Sequence, residues 1–200
     1  MKPTPPPTRP TVLTSLLCAV LLALCAGPAR AEPGMQTVAD PNGRYTIRFP
    51  QSWEIVSMNA KPLGGEIMRH FNQNFFSMLM AIDPGASAQA PTMLMVMSME
   101  LDHAVSPRTF GLMTRESMGK KFEAFNIVQE GTATIAKRPA FYRYFTMLKD
   151  GEEFYGVMAY FTVEKTGYIV FGMTQNNPAT VRESFGNVSR ILETFHPTAK

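Results

Sequence analysis

The sequence predicts an α+β domain: a three-layer α/β/α sandwich around a central antiparallel sheet. Three observations predict it. Strand-like runs at 140–148, 154–164 and 168–175 follow one another across short turns. Large apolar residues lie on both of their faces: Tyr155, Val157, Phe161 and Val163 on one side of the middle run, Phe154, Met158 and Tyr160 on the other. An amphipathic helix closes the chain. A sheet wetted on one face would carry polar residues there, so a layer is expected on each side.

The elements follow in order. Residues 44–49 alternate, placing Tyr45, Ile47 and Phe49 on one face, and Pro50 ends the run. A second short strand is expected from Trp53 to Met58, and 59–74 has no clean period. Residues 75–82 read as a strand, 83–91 as a loop by composition, and 92–101 as a strand carrying Met93, Met95, Met97 and Met99 on one face. Ser106-Pro107 is an N-cap followed by proline at the first helical position. The helix it starts reaches about Phe122, with Phe110, Met113, Met118 and Phe122 on its apolar side and Leu112 off it; Glu116 and Lys120 are spaced to pair outside. The three-strand meander turns at 149–152, where Asp150-Gly151 suits a tight hairpin, and at 165–167. Asn177-Pro178 opens the last helix, which runs to Phe195. Val181, Phe185, Val188, Leu192 and Phe195 form its stripe, Arg182, Glu183, Asn187, Arg190 and Glu193 take the other side, and His196-Pro197 stops it. On this pattern Phe185→Asp prevents folding and Glu183→Ala is nearly silent.

Residues 1–31 have the order of a secretory signal peptide: Lys2 and Arg9, an apolar run from Val12 to Ala26, Gly27-Pro28, then Ala29-Arg30-Ala31. The apolar run is shorter than the ~20 residues that span a bilayer, so no membrane span is expected. Leu24 before Cys25 argues against a lipid anchor there. Cleavage is expected after Ala31, then a flexible lead-in at 32–43 and a single domain at 44–197, in the periplasm or secreted.

Lys2, Arg9 and Arg30 account for the whole excess of Lys+Arg (19) over Asp+Glu (16). The exported part is then electrically balanced, which gives no reason to expect nucleic acid as a partner. Cys18 and Cys25 both leave with the signal, so no disulfide or thiolate site is expected.

No sequence pattern of a nucleophile, phosphate loop or zinc site is present. Asp102 and His103 are sequence neighbours in what reads as a polar loop; on a strand they would face opposite ways. His196 follows the last helical turn, where an imidazole suits the carbonyl ends, and His70 sits beside Arg69 in the stretch without a period. Asp150, Glu152 and Glu153 lack the spacing of a calcium loop and read as a solvated turn. Trp53 is expected in the core. The sequence nominates no catalytic, cofactor-binding or metal-ligating residue, and the chain is expected to be non-enzymatic.

The opening Tyr45-Thr46-Ile47-Arg48-Phe49-Pro50-Gln51-Ser52-Trp53, the meander and the closing Ile191-Leu192-Glu193-Thr194-Phe195 together resemble the Mog1/PsbP-like domain family, which includes exported bacterial proteins of the DcrB type. The resemblance spans most of 44–196. It implies the sandwich fold and a binding or assembly role, as when plant PsbP docks on photosystem II or Mog1 on a small GTPase. It supplies no functional residue.

Two function classes follow. The first is an envelope protein that binds another protein or a small ligand through the sheet edge or loops. The second is a methionine-based Cu(I)-binding or redox-protective role, since 14 of the 15 methionines lie beyond residue 31. Thioethers suit Cu(I). Same-face neighbours along one strand, however, stand about 6.7 Å apart, whereas two sulfurs on one ion are within about 4.6 Å. Core packing is therefore the first expectation for the methionines, an adaptable apolar face the second and copper the third.

Overall fold

The computed structural model describes residues 34–57, 75–84, 91–119, 123–149, 151–177 and 181–198. The signal segment, His70, Lys120, Phe122 and Pro178 lie outside the described residues, as do the side chains of Glu116 and Met118.

The strands are β1 (Met35–Ala39), β2 (Tyr45–Pro50), β3 (Glu54–Ser57), β4 (Phe75–Asp83), β5 (Thr92–Glu100), β6 (Glu123–Ile135), β7 (Arg138–Lys149), β8 (Glu152–Val163), β9 (Thr166–Gln175) and β10 (His196–Pro197). The helices are α1 (Pro107–Gly119) and α2 (Val181–Leu192). Seven strands make the main sheet, in the order β3-β4-β5-β9-β8-β7-β6, every pair antiparallel. A second sheet, β1-β2-β10, was not expected. The predicted α+β sandwich stands: α2 and the small sheet cover one face of the main sheet, and α1 packs on β6, β7 and β8 at the other.

The first core layer joins Ile47, Phe49 and Trp53 to Val188, Ile191 and Phe195 across Val96, Val157 and Val170. The Phe-Pro-x-x-Trp piece has a local cause here. A turn closed by the Trp53 N–H donating to the Pro50 carbonyl (3.0 Å) brings the Trp53 ring to 5.9 Å from Phe49.

Several expectations are corrected. Residues 35–39, placed in a flexible lead-in, form β1 on β2, pairing Val38 with Ile47. The meander has four strands rather than three, because β6 precedes it. Its last turn is Glu164-Lys165, with Thr166 and Gly167 already in β9. Ser106 does cap α1, its Oγ accepting the Thr109 N–H at 3.1 Å. Of that helix's expected apolar side Phe110 is buried, but Met113 is 60% exposed, because α1 covers only one end of the sheet. On α2 the buried residues are Ser184, Val188, Ile191 and Leu192. Phe185 is half-buried and reaches sideways to Tyr155 (ring centroids 4.7 Å) and Tyr144 (6.2 Å). Asp at 185 therefore costs less than the stripe implied, and the position that carries folding moves to Val188.

Candidate functional site at the β6 edge

Strand β6 forms one end of the main sheet and pairs, among the described strands, with β7 alone. Its hairpin to β7 turns on Ala136 and Lys137, both left-handed with φ 51° and 61°. Two such residues make the turn whose twist matches that of the strands. In that geometry Ile135 and Arg138 exchange both ladder bonds, and bonding alternates back along the strand. Ala133 and Gly131 therefore face β7 with their N–H groups, while those of Thr134, Thr132 and Glu130 point outward. Pro139 fits this parity: it has no N–H to give, and it stands opposite Thr134 at a pair without ladder bonds. Register shifts disturb β6 between Glu123 and Asn126 and again between Ile127 and Gln129, so the regular edge is 129–135.

The side chains along this edge are wet. Glu130, Thr132 and Thr134 are exposed, and Val128 is 54% exposed. Behind the edge lies a half-buried aromatic ladder. Tyr142 meets Tyr144 edge-on at 5.5 Å, and Tyr144 stacks on Tyr155 at 6.2 Å, with Phe185 of α2 beside both. Gln129 Nε2 donates to the Tyr142 hydroxyl at 3.2 Å. Amphipathic rings of this kind carry a large share of binding energy where proteins meet.

On the opposite face, Arg143 is 1% exposed. Its Nε donates to Glu130 Oε2 at 2.8 Å and its Nη1 to the Gly111 carbonyl at 2.7 Å, tying β6, β7 and α1 together. The guanidinium also lies 5.1 Å from the Phe141 ring and 5.6 Å from Tyr160. The bond from Arg143 holds the Glu130 carboxyl below the usual glutamate range. The one signal for Arg143 in the sequence is its parity, since it shares a strand face with Phe141, Phe145 and Met147, all of them apolar.

The second core layer holds methionines from five strands. Met78, Met95, Met97, Met147, Met158 and Met173 are buried in it, with Met80, Met93 and Met99 packed against it. Phe145 is stacked between Phe125 (5.1 Å) and Phe171 (5.4 Å) in the same layer. Burial pushes the Tyr160 and Tyr168 hydroxyls above the ordinary tyrosine value. As neutral donors, Tyr160 bonds Met158 Sδ at 3.0 Å and Tyr168 reaches the Arg44 carbonyl at 3.1 Å.

The polar residues weighed from the sequence are dispersed. Asp102 and His103 are exposed in the loop before α1. His196 pairs with Thr46 in the small sheet rather than capping α2, which ends four residues earlier. Glu152 accepts from Gln175 Nε2 (3.0 Å) and Glu153 from Asn176 Nδ2 (2.6 Å). Trp53 is buried as expected. Among the described residues no group of three His, Cys, Asp or Glu is placed to hold a metal, and no helix is long and apolar enough to cross a membrane.

No family model matches the chain, and no curated protein sequence matches it. Solved structures do. The solution structure of cyanobacterial PsbP (CyanoP) from Synechocystis matches with TM-score 0.56 at 9% identity, over 86% of this chain and 98% of that one. LpqN of Mycobacterium tuberculosis, described as involved in cell envelope biogenesis, matches with TM-score 0.52 at 10% identity, over 83% of this chain and 91% of that one. A Pseudomonas aeruginosa protein of unknown function, PA94, gives 0.50 at 12% identity, over 83% and 99%. At these identities the likeness speaks for architecture alone, and the architecture is that of the PsbP-like domains.

Proposed function

We propose that the chain is an exported, non-enzymatic binding or assembly module of the cell envelope, and that it takes an extended segment of a partner protein along β6. The observation that carries this reading is the outward row of N–H groups at Glu130, Thr132 and Thr134, beside exposed Val128 and the tyrosine ladder. Natural sheets blunt their edges with bulges, and here the bulges stop at Gln129. An added strand gains main-chain bonds from such an edge and side-chain specificity from the rings behind it. The fold shared with LpqN, a protein involved in cell envelope biogenesis, agrees with this compartment, as does the signal-like order of residues 1–31.

Thr132→Pro tests the reading. It removes one outward donor and leaves the β6–β7 bonds in place, so melting should move by no more than ~2 °C, while binding should fall roughly tenfold, the loss of about one backbone hydrogen bond. A photo-reactive residue at Val128, used in living cells, should give one adduct that fades in the Thr132→Pro background. An adduct indifferent to Thr132→Pro, or stronger labelling from exposed Met113 on α1, would count against the edge.

A further inference from the structure

Two close contacts fix how α1 sits on the sheet. A Cβ built on Gly167 of β9 would stand 2.7 Å from the Phe110 ring, and one built on Gly111 would stand 2.4 Å from the Phe141 ring of β7. The sheet order β9-β8-β7-β6 then turns the Gly111 flank of the helix toward β6 and the Phe110 flank away from it. At 3.6 residues per turn, Arg115, Arg108 and Leu112 follow Gly111 around that flank. All three are exposed, Leu112 at 45%. Glu130 of β6 reaches the same side of the sheet, where Arg143 joins it to the Gly111 carbonyl. Thr132 and Thr134 share its face by the strand period. A strand added along β6 would turn every second side chain to this flank.

The flank carries uncompensated positive charge. Arg143 donates through Nε to Glu130, and its Nη2 has no partner among the described residues. Neither Arg108 nor Arg115 forms an ion pair among the described residues. Arg108 also stands in the first turn of α1, where a cation opposes the macrodipole and no acidic residue offsets it. The Glu130 carboxyl, held low first by the bond from Arg143, is lowered further by the charges of Arg115 and Arg108, so both act on the edge. One carboxylate meets three guanidiniums.

We propose that the segment taken along β6 is acidic on its α1-facing side, with carboxylates at alternate positions pairing with Arg108 and Arg115 and an apolar side chain meeting Leu112. This rests on the edge reading and names the chemistry of the occupant. Opposite charge facing such a flank steers the encounter and fixes which side of the segment turns to the helix. An anionic membrane surface would call for a broad basic face, whereas here two cations flank an open strand ladder.

The test uses three labelled peptides in which Thr alternates with Glu, Gln or Lys, titrated against the full chain by fluorescence anisotropy. The Glu peptide should bind about tenfold tighter than the Gln peptide, the worth of two ordinary exposed ion pairs, and the Lys peptide weakest. The advantage should shrink as salt is raised. Arg108→Gln/Arg115→Gln should erase it and leave the Gln peptide unchanged, with melting held within ~2 °C because both side chains are exposed. Equal affinities for the Glu and Gln peptides, both lost in Thr132→Pro, would sink this inference and keep the edge. Glu-peptide binding that survives Thr132→Pro would overturn it too, since the arginines would then act away from an added strand. Binding to phosphatidylglycerol vesicles that the double variant loses, without a Glu-peptide preference, would assign the flank to lipid instead. No binding of any peptide also overturns the inference, and the Val128 adduct alone then judges the edge.

Discussion

Val188→Asp is expected to yield no folded protein, where Glu183→Ala, on the exposed side of the same helix, should melt like the parent. Val188 is 1% exposed and sits where α2 meets β9. A Cβ built on Gly172 would stand 2.8 Å from a Val188 methyl, so the helix and sheet touch with no room for solvent. The substitution removes most of an apolar side chain and leaves a carboxylate that no described cation faces. Packing loss and burial of an unpaired charge together reach about 5 kcal/mol or more, comparable to the whole stability of a typical domain. Phe185→Asp should be milder, about 2 kcal/mol, because at that half-buried site the charge can turn to water. Chemical denaturation of the three variants decides it. A soluble Val188→Asp chain with parental unfolding would mean that α2 does not dock.

Gly156→Ala should cost about 3 kcal/mol, an unusual penalty for one methyl group. A Cβ at Gly156 would lie 2.1 Å from the tip of the Phe145 ring on the neighbouring strand. Phe145 cannot yield, since it is fully buried and stacked between Phe125 and Phe171. Overpacking of this kind strains rotamers and backbone together. Gly151→Ala is less informative, because its φ of 80° disfavours a side chain whatever the space around it. Combining Gly156→Ala with Phe145→Leu, which vacates the contact, should recover part of the loss, whereas simple addition of the two penalties would show that the ring and the glycine do not interact.

The parts of this molecule that repeat a strong period were legible in the sequence. Two-faced apolar runs at 140–175 required layers on both sides, and β4, β5, α1 and the closing helix lie close to where periodicity and capping place them. What was missed has local causes. Strand β6 is an edge strand whose side chains are half wet, carries Gly131, and is broken by two register shifts, so no alternation survives to be read. Strand β1 has five residues, none of them buried, and its ladder pairing comes from β2 alone among the described strands. The stripe of α2 was displaced because Ser184 and Ile191 face the sheet while Phe185 reaches past it to the tyrosines. The candidate edge was legible only as a general expectation of sheet-edge binding. Its outward N–H parity depends on the Ala136-Lys137 turn, a pair with none of the glycine or asparagine that marks such turns in a sequence.

Residue-resolved amide hydrogen exchange along β6 tests the binding-edge reading most directly. In the purified protein Gly131 and Ala133, bonded to β7, should exchange slowly, while Glu130, Thr132 and Thr134 exchange at rates near those of exposed loops. Adding the cross-linked partner should slow these three outward amides at least tenfold and leave the loop at Asp102-His103 unchanged. Outward amides already protected in the isolated protein, or still fast with the partner bound while another surface becomes protected, would contradict the edge as the binding site.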